Sequence, residues 1–381
     1  MNKLSILLLS AVVSAPAFAQ HTPNSEKTWA WLNFERPEGI NPIISPDTSS
    51  VFYCPMRNKT MKWEESDTFN PAAAVINNSI AVLYRAEDNS ATGIGSRTSR
   101  IGYASSVDGL HFKRHGAPVL FPGGDAQADH EDGGGCEDPR VCMTEDGTYV
   151  MMYTQWNRKC ARLGVATSRN LVNWQKFGSP FKKAYNGKFE YTFSKSASIV
   201  TKLDKSGRQV IAKINGKYWM YWGEQFINIA TSDDLINWTP IVDDKGELKH
   251  FIDPRKGYFD SQLTECGPPA IMTDRGIILM YNGKNLAGEG GDKNYTANSY
   301  CAGQILFDKN DPTKVLDRLD EPFYIPEADF EKSGQYPAGT VFIEGLVTLN
   351  NKWYLYYGCA DSQVGVAIYD PSKSTPGDPL P

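Results

Sequence analysis

The chain has 381 residues, of which 41% are hydrophobic and 22% charged, and its formal net charge is −5. This composition excludes a disordered chain. No internal apolar run reaches the roughly 18 residues that cross a bilayer, and no Lys/Arg-rich stretch offers a surface for nucleic acid. The 33 glycines, 23 prolines, 19 tyrosines, 17 phenylalanines and 9 tryptophans favour an all-β protein, because turn-forming and aromatic residues are typical of sheets.

The first 19 residues have the pattern of a secretory signal peptide. Lys3 gives a positively charged start, residues 4–13 are apolar, and Ala17-Phe18-Ala19 is a small-x-small cleavage site. We therefore expect an exported protein, periplasmic or secreted, whose mature chain begins at Gln20. Residues 20–35 are expected to be an N-terminal leader, and residues 371–381 a C-terminal tail.

Three motifs recur in the same order, five times along the chain. A run of small and apolar residues comes first, at residues 70–75, 138–142, 195–200, 267–271 and 342–347. An apolar run that ends in an aromatic residue follows, at residues 80–84, 149–153, 218–221, 277–281 and 353–356. A strand-like segment, most often of the type Gly-x-Ala, comes third, at residues 101–105, 163–167, 227–231, 302–306 and 364–368.

Five strand-turn-strand units of about 65 residues each predict a five-bladed β-propeller, a single catalytic domain over residues 36–370. The small residues of the first motif suit the innermost strand of each blade, because strands crowd together around the central channel. The alternative is a β-sandwich in which the repetition is accidental.

Polar residues follow these motifs at positions that a propeller would bring to one mouth. They are Asn70, Arg85, Glu87, Asp88, Asp138, Arg140, Lys195, Glu224, Glu265, Asn282 and Asp361. Several carboxylates that converge among aromatic side chains are typical of a glycosidase, which needs one group to protonate the leaving oxygen and another to activate water. We expect neither a cofactor nor a metal, because the sequence has no Cys-x-x-Cys pair and its five histidines are scattered.

The same motifs resemble glycoside hydrolase family 130, which contains mannoside phosphorylases and β-mannosidases built as five-bladed propellers. The resemblance runs from about residue 69 to residue 369. It is carried by Phe69-Asn70-Pro71-Ala72, Leu83-Tyr84-Arg85-Ala86-Glu87-Asp88, Gly135-Cys136-Glu137-Asp138-Pro139-Arg140, Gly267-Pro268-Pro269 and Tyr356-Tyr357-Gly358-Cys359-Ala360-Asp361.

The resemblance implies roles for the matching residues. Asp138 matches the general acid, which in this family acts through the 3-hydroxyl of the mannose. Asn70, Arg85 and Asp361 match residues that hold the mannose in the −1 subsite. We expect Asp88, Arg140 and Lys195 to bind substrate as well, because they stand at the same mouth.

The sequence departs from the phosphorylases of that family at two segments. A His-Arg pair that is usual there is replaced by Trp222-Gly223, followed by Glu224, and the usual His of Tyr-His-Gly is replaced by Asn282. A further carboxylate, Glu265, precedes Cys266. This pattern is similar to the hydrolases of the family, which act on β-1,2-linked mannosides, and implies that Glu224 and Glu265 are the base pair of an inverting single displacement.

Three alternatives remain open at this stage. A mannoside phosphorylase would give mannose 1-phosphate, with Lys195 and Arg140 among the residues that could bind phosphate. A furanosidase-like propeller is disfavoured by the segments around Asp138 and Asp361. A non-catalytic glycan-binding propeller would keep the aromatic side chains and would tolerate the loss of Asp138. The expected partner of the chain is in each case a saccharide, with no nucleic acid and no membrane insertion.

Overall fold

The computed structural model describes residues 23–373. The predicted signal peptide, the first three residues of the leader and residues 374–381 of the tail lie outside this range. The prediction of an all-β protein is confirmed. Helical structure in the described part is limited to the four-residue helix α1 (Ala128–Glu131) and to 3-10 turns at Asn24–Glu26, Ala184–Gly187, Asp329–Glu331 and Pro371–Lys373. None of these helices is long and apolar enough to cross a membrane.

A hairpin precedes the repeated part of the chain, and five antiparallel groups of strands follow it. The hairpin consists of β1 (Val51–Cys54) and β2 (Lys59–Lys62). The first group contains β3 (Asp67–Ile76), β4 (Ser79–Glu87), β5 (Ser99–Ser106) and β6 (Lys113–Arg114). The second contains β7 (Gly135–Met143), β8 (Tyr149–Trp156), β9 (Ala161–Ser168) and β10 (Gln175–Gly178).

The third group carries two short accessory strands, β12 and β13. Its strands are β11 (Ala197–Leu203), β12 (Gln209–Ile211), β13 (Lys213–Ile214), β14 (Lys217–Trp222), β15 (Asn228–Ser232) and β16 (Trp238–Pro240). The fourth has a divided inner strand and comprises β17 (Leu263–Cys266), β18 (Ala270–Met272), β19 (Ile277–Lys284), β20 (Tyr300–Phe307) and β21 (Val315–Arg318). The fifth comprises β22 (Val341–Leu349), β23 (Lys352–Cys359) and β24 (Gln363–Tyr369).

The inner strands of successive groups lie beside one another. The inner strand β3 contacts β7, β7 contacts β11, and two parallel bridges join β11 to β18. A parallel bridge from Ser99 on β5 to Gly135 on β7 also links the first two groups. The inner strand β22 of the last group lies against β3 of the first. The outer edge of the last group is covered by the N-terminal segment, because Glu35 and Ile44 form antiparallel bridges to β24. The two ends of the described chain therefore meet in one group.

The glycines of the third sequence motif face tyrosines of the second. Tyr84, Tyr153, Tyr281 and Tyr357 are paired across the sheet with Gly102, Gly164, Gly303 and Gly365. A methyl group at any of these glycines would lie within 2.8 Å of the tyrosine ring. Each tyrosine is buried, and its hydroxyl donates to a buried carboxylate, in chain order Glu64, Glu131, Asp260 and Glu331. The repeat in the sequence is thus a packing requirement of the fold.

Candidate active site

A cavity of about 260 Å³ lies where the inner strands begin. It brings together eight residues that the sequence singled out, which are Asn70, Arg85, Glu87, Asp138, Lys195, Glu224, Glu265 and Asp361. They lie in or beside all five strand groups, and they include the predicted general acid and both members of the predicted base pair. The arrangement is that of a polar pocket with at least four carboxylates among cationic side chains.

Two β-bulges direct side chains into this cavity. The register of β3 shifts between Phe69 and Pro71, and that of β7 shifts between Glu137 and Arg140. Asn70 and Asp138, the residues at these shifts, have φ of 47° and 48°. A bulge leaves one residue out of the ladder and turns its side chain aside. Each of the two bulged residues therefore points into the cavity although its strand continues past it.

Asp138 is held by three polar neighbours. Its Oδ1 accepts from Asn70 Nδ2 at 2.9 Å and from Arg85 at 3.1 Å, and its Oδ2 lies 3.6 Å from Lys195 Nζ. Burial alone would raise the pKa of Asp138, but the charges of Arg85 and Lys195 outweigh it and hold this pKa below its usual range. The carboxyl is therefore ionised in the free protein at neutral pH.

Asp361 interacts with Arg85 and Lys195 as Asp138 does, but its pKa is raised. Burial raises its pKa to about 7; the charge of Arg85 opposes this, whereas those of Asp138 and Glu87 add to it. The side chain lies in a left-handed turn, with φ of 48° at Ala360 and 53° at Asp361. Two carboxyl groups of one cavity are thus held in different protonation states by their surroundings.

Glu224 and Glu265 form a second carboxylate pair. The amide of Cys266 donates to Gly223 O, and the amide of Thr264 donates to Gln225 O. These two bonds bring the segment around Glu224 beside β17, and both Glu224 and Glu265 line the cavity. Gly223 makes the turn possible, since its φ is 133° and a methyl group there would lie 2.1 Å from Phe226 O.

The environment of Glu265 favours its protonated form. It is 3% exposed, and burial together with the charge of Glu224 raises its pKa to about 8. Lys195, Arg140 and a hydrogen bond from Ser196 oppose this rise. Two facing carboxyl groups with one cation nearby can hold and release a proton near neutral pH, which is what a general base requires.

Two predicted substrate-binding residues do not line the cavity. Arg140 is buried behind it, where its guanidinium donates to the carbonyls of Asp138 and Cys266 and pairs with Glu344 at 3.0 Å. Asp88 accepts from Arg100 and from the amide of Ser90. These contacts make Arg140 and Asp88 supports of the site. Asn282, which was also singled out, exchanges two hydrogen bonds with the backbone of Ile343.

A larger cavity, of about 770 Å³, lies at the other ends of the inner strands. It is lined by residues 73–78, 141–143 and 347–351, together with residues of four further short segments. No Asp or Glu is among the residues that line it. Acid–base cleavage of a glycoside needs carboxyl groups, so the smaller cavity is the candidate active site.

Comparison with known proteins agrees with this choice of site. A family profile described as β-1,4-mannooligosaccharide phosphorylase, of glycoside hydrolase family 130, matches residues 39–373. A 1,2-β-oligomannan phosphorylase of Thermoanaerobacter sp. (strain X514) is 35% identical over 314 residues, which are 81% of this chain and 92% of that protein. The chain belongs to glycoside hydrolase family 130. It is thus an enzyme of a family that acts on β-mannosidic linkages.

Solved structures of similar chains extend the comparison. One from Bacteroides thetaiotaomicron VPI-5482 has a TM-score of 0.90 and 69% identity, and the match covers 93% of this chain and 100% of that one. Another, described with the family 130 glycoside hydrolases that target β-1,2 mannosidic linkages in Candida mannan, has a TM-score of 0.90 and 60% identity, covering 92% and 98%. The fold of this family 130 chain therefore matches solved structures over nearly its whole length.

Sequence reasoning missed one wall of the family 130 cavity. Lys284, Tyr300 and Tyr336 line it, and the Lys284 ammonium lies 5.3 Å from the centroid of each tyrosine ring. Gln335 also lines the cavity, and its amide donates to Asp361 O at 3.0 Å. Lys284 is paired with Tyr300 across β19 and β20. All four residues lie outside the repeated motifs, so no motif pointed to them.

Proposed function

We propose that this chain is an exported, inverting glycoside hydrolase that cleaves β-1,2-linked mannosides. Asp138 is the general acid, and Glu224 and Glu265 are the general-base pair. The observation that carries the proposal is that Glu224 and Glu265, on segments joined by backbone hydrogen bonds, line one cavity together. An inverting enzyme needs a base that activates water on the face opposite the leaving group, and this pair supplies two carboxylates for it.

The charge of this wall favours water over phosphate as the nucleophile. Glu224 and Glu265 repel an anion, whereas either carboxylate can accept a proton from water. Asn282 is occupied by backbone hydrogen bonds and offers no cation. Lys195 is in contact with Glu137 and Asp138, so its charge is already compensated. These features distinguish the chain from a site built to hold phosphate.

The acid step requires Asp138 to take up a proton when substrate binds, because Asp138 is ionised in the free protein. We propose that the protonated Asp138 then gives its proton to a mannose hydroxyl bound between it and the glycosidic oxygen, while that hydroxyl passes its own proton to the leaving oxygen. Asn70 and Arg85 orient the carboxyl group and stabilise the carboxylate that this transfer leaves. The sugar ring then lies against Asp361, which donates a hydrogen bond to it when protonated and accepts one when ionised.

The proposal includes the architecture and the location. The five strand groups are the blades of a five-bladed propeller, supported by the contact of β22 with β3 and by the bridges that join the N-terminal segment to β24. Export is supported by the signal-peptide pattern of residues 1–19. Expression in a bacterial host, followed by N-terminal sequencing, is expected to give a mature chain that starts at Gln20.

A mannoside phosphorylase is the second candidate. The names of the curated relatives support it, since the 35% identical protein is a 1,2-β-oligomannan phosphorylase. Lys195 and Lys284 also bring two ammonium groups to the cavity. Hydrolysis is supported by a structure described with glycoside hydrolases that target β-1,2 mannosidic linkages. That structure is 60% identical to this chain, against 35% for the phosphorylase, and we favour hydrolysis for that reason.

One experiment separates the two candidates. Mature protein is incubated with β-1,2-mannobiose with and without inorganic phosphate, and the products are identified. We expect free mannose, first formed as the α-anomer, at a rate that does not depend on phosphate. The variants Glu224→Gln and Glu265→Gln should lose at least about 100-fold in kcat, whereas Glu289→Gln, at an exposed loop carboxylate, should retain it. Mannose 1-phosphate formed only with phosphate would overturn the proposal.

A further inference from the structure

Four charged side chains form a closed ring at the wall of the cavity. Arg85 contacts Glu137 at 3.0 Å and Asp138 at 3.1 Å. Lys195 contacts the same two carboxylates, at 3.5 Å and 3.6 Å. Each cation thus bridges both acids, and each acid contacts both cations. The ring contains two positive and two negative groups, drawn from β4, from β7 and from the segment just before β11.

The two carboxylates of this ring have different access to substrate. Asp138 lines the cavity, whereas Glu137 is absent from the residues that line it. Glu137 is 2% exposed, and its Oε1 lies 3.5 Å from the hydroxyl of Ser99. Glu137 and Asp138 are adjacent in sequence, but the bulge in β7 turns Asp138 toward the cavity while Glu137 stays within the protein.

We propose that Glu137 is a positioning residue for the proton transfer at Asp138, and that it holds Arg85 and Lys195 in place while Asp138 carries the proton. The inference rests on the proposed function only in taking Asp138 as the acid. It applies equally if water or phosphate attacks the sugar, because both reactions need the leaving oxygen to be protonated. Asp138 gives its proton to the sugar hydroxyl, and that hydroxyl passes its own proton to the leaving oxygen, so no other reactant is required.

The charge balance of the ring gives the reason. When Asp138 becomes neutral, Arg85 and Lys195 still face the carboxylate of Glu137, and Arg85 also contacts Glu87 at 2.6 Å. Without the charge of Glu137, both cations would act on Asp138 with less compensation and would oppose its protonation. Burial raises the pKa of Glu137, and the charges of Arg85 and Lys195 oppose this rise. Glu137 and Asp138 therefore share the two cations that stabilise their ionised forms.

Other charged groups surround the ring and stay in place in the test. Arg140 acts on Asp138 from its own strand, and Asp361 faces Arg85 and Asp138. Glu344, on β22, acts with Asp138 and Arg85. Asp361 also interacts with both cations, but among the described residues only Glu137 and Asp138 form ion pairs with both Arg85 and Lys195. The other charges would therefore not fully substitute for that of Glu137.

The test is the pH dependence of kcat for Glu137→Gln with β-1,2-mannobiose. We expect kcat at pH 7 to fall about 10-fold or more, with KM within about twofold. The alkaline limb of kcat, which follows the protonated acid in the bound complex, should move to lower pH by about one unit. Glu137→Asp retains the charge, and its limb should lie between those of wild type and Glu137→Gln. The exposed-site variant Glu145→Gln is the control.

A loss in Glu137→Gln that is equal at every pH would overturn the inference, and so would an unchanged rate. Thermal unfolding shows whether Glu137→Gln is folded. If it is not, Glu137→Asp alone tests the inference, and an alkaline limb of kcat at the wild-type pH in that variant would contradict it. Asp138→Asn separates the inference from the proposed function. An inactive Asp138→Asn with an unshifted Glu137→Gln limb rejects Glu137 alone, whereas a fully active Asp138→Asn rejects the acid assignment.

Discussion

Glu224 and Glu265 line one cavity, on two segments that backbone hydrogen bonds hold together. The charge of Glu224 raises the pKa of Glu265, so the two carboxylates destabilise each other when both are ionised. The fold nevertheless keeps Glu265 buried, with Ser196 donating to it and with Lys195 as the cation nearby. Two carboxylates that destabilise the folded state of the protein, on the wall of a cavity, are typical of an active site, where charged groups serve the chemistry at a cost in stability.

Glu265→Gln should therefore stabilise the protein, and increasingly so as the pH rises. The unfolded carboxyl releases its proton near 4.5, while the folded one has its pKa raised to about 8. Between these values the folded state binds more protons, so the unfolding free energy of the wild type falls with rising pH. Urea unfolding at pH 5 and pH 8 should show the variant gaining on the order of 2 kcal/mol at the higher pH. A gain that is the same at both would contradict this.

Arg140→Met should separate support of the site from stability. The substitution leaves Glu344 buried without its cation, and we expect a loss of about 3 kcal/mol. It also removes the guanidinium that ties Asp138 O to Cys266 O, so kcat should fall at least about 10-fold. In Arg140→Met/Glu344→Leu most of the stability should return, but the loss of kcat should remain. Recovery of both would show that Arg140 acts on stability alone.

The fold was largely predictable because its repeat has a physical basis. Cross-strand packing of a tyrosine ring on a glycine leaves both residues visible in the same order in four of the five units, although the number of residues between them varies. The third unit departs from it, since Tyr221 is paired with Ile229 and donates to Pro312 O. The motifs predicted the existence and order of the units, while the division of the fourth inner strand into β17 and β18 was not foreseen.

The candidate site was predictable where its residues stand in the repeats. Asn70 and Asp138 both precede proline in a strand, and the break in the ladder there directs them inward. Arg140 was expected to bind substrate because it stands at the same mouth, but the bulge between Glu137 and Arg140 interrupts the alternation along β7, and Arg140 lies behind the cavity. Lys284 and Tyr300 come from neighbouring strands that pair opposite each other, and only the register of those strands brings them to the cavity.

Gly102→Ala tests the packing origin of the repeat. A methyl group at Gly102 would lie 2.5 Å from Cζ of Tyr84, whose ring is fully buried. Because neither group can move into solvent, we expect a loss of about 1–3 kcal/mol in unfolding free energy. Gly116→Ala is the matched control, since no atom lies within 4 Å of its added carbon, and it should be nearly neutral. Equal effects of the two substitutions would reject the packing explanation.

Tyr281→Phe tests the carboxylate that each repeated tyrosine meets. The hydroxyl of Tyr281 donates to Asp260 at 2.6 Å, and Asp260 also pairs with Arg255 at 3.0 Å. A hydrogen bond to a charged acceptor contributes about 1.5–3 kcal/mol, against about 1 kcal/mol for a neutral one. Tyr221→Phe, which loses only a bond to a carbonyl, is thus the control and should cost less in urea unfolding. We expect kcat to stay within about twofold in Tyr281→Phe, because the ring lies outside the cavity; equal losses of stability, or a large fall in kcat, would contradict a purely structural role.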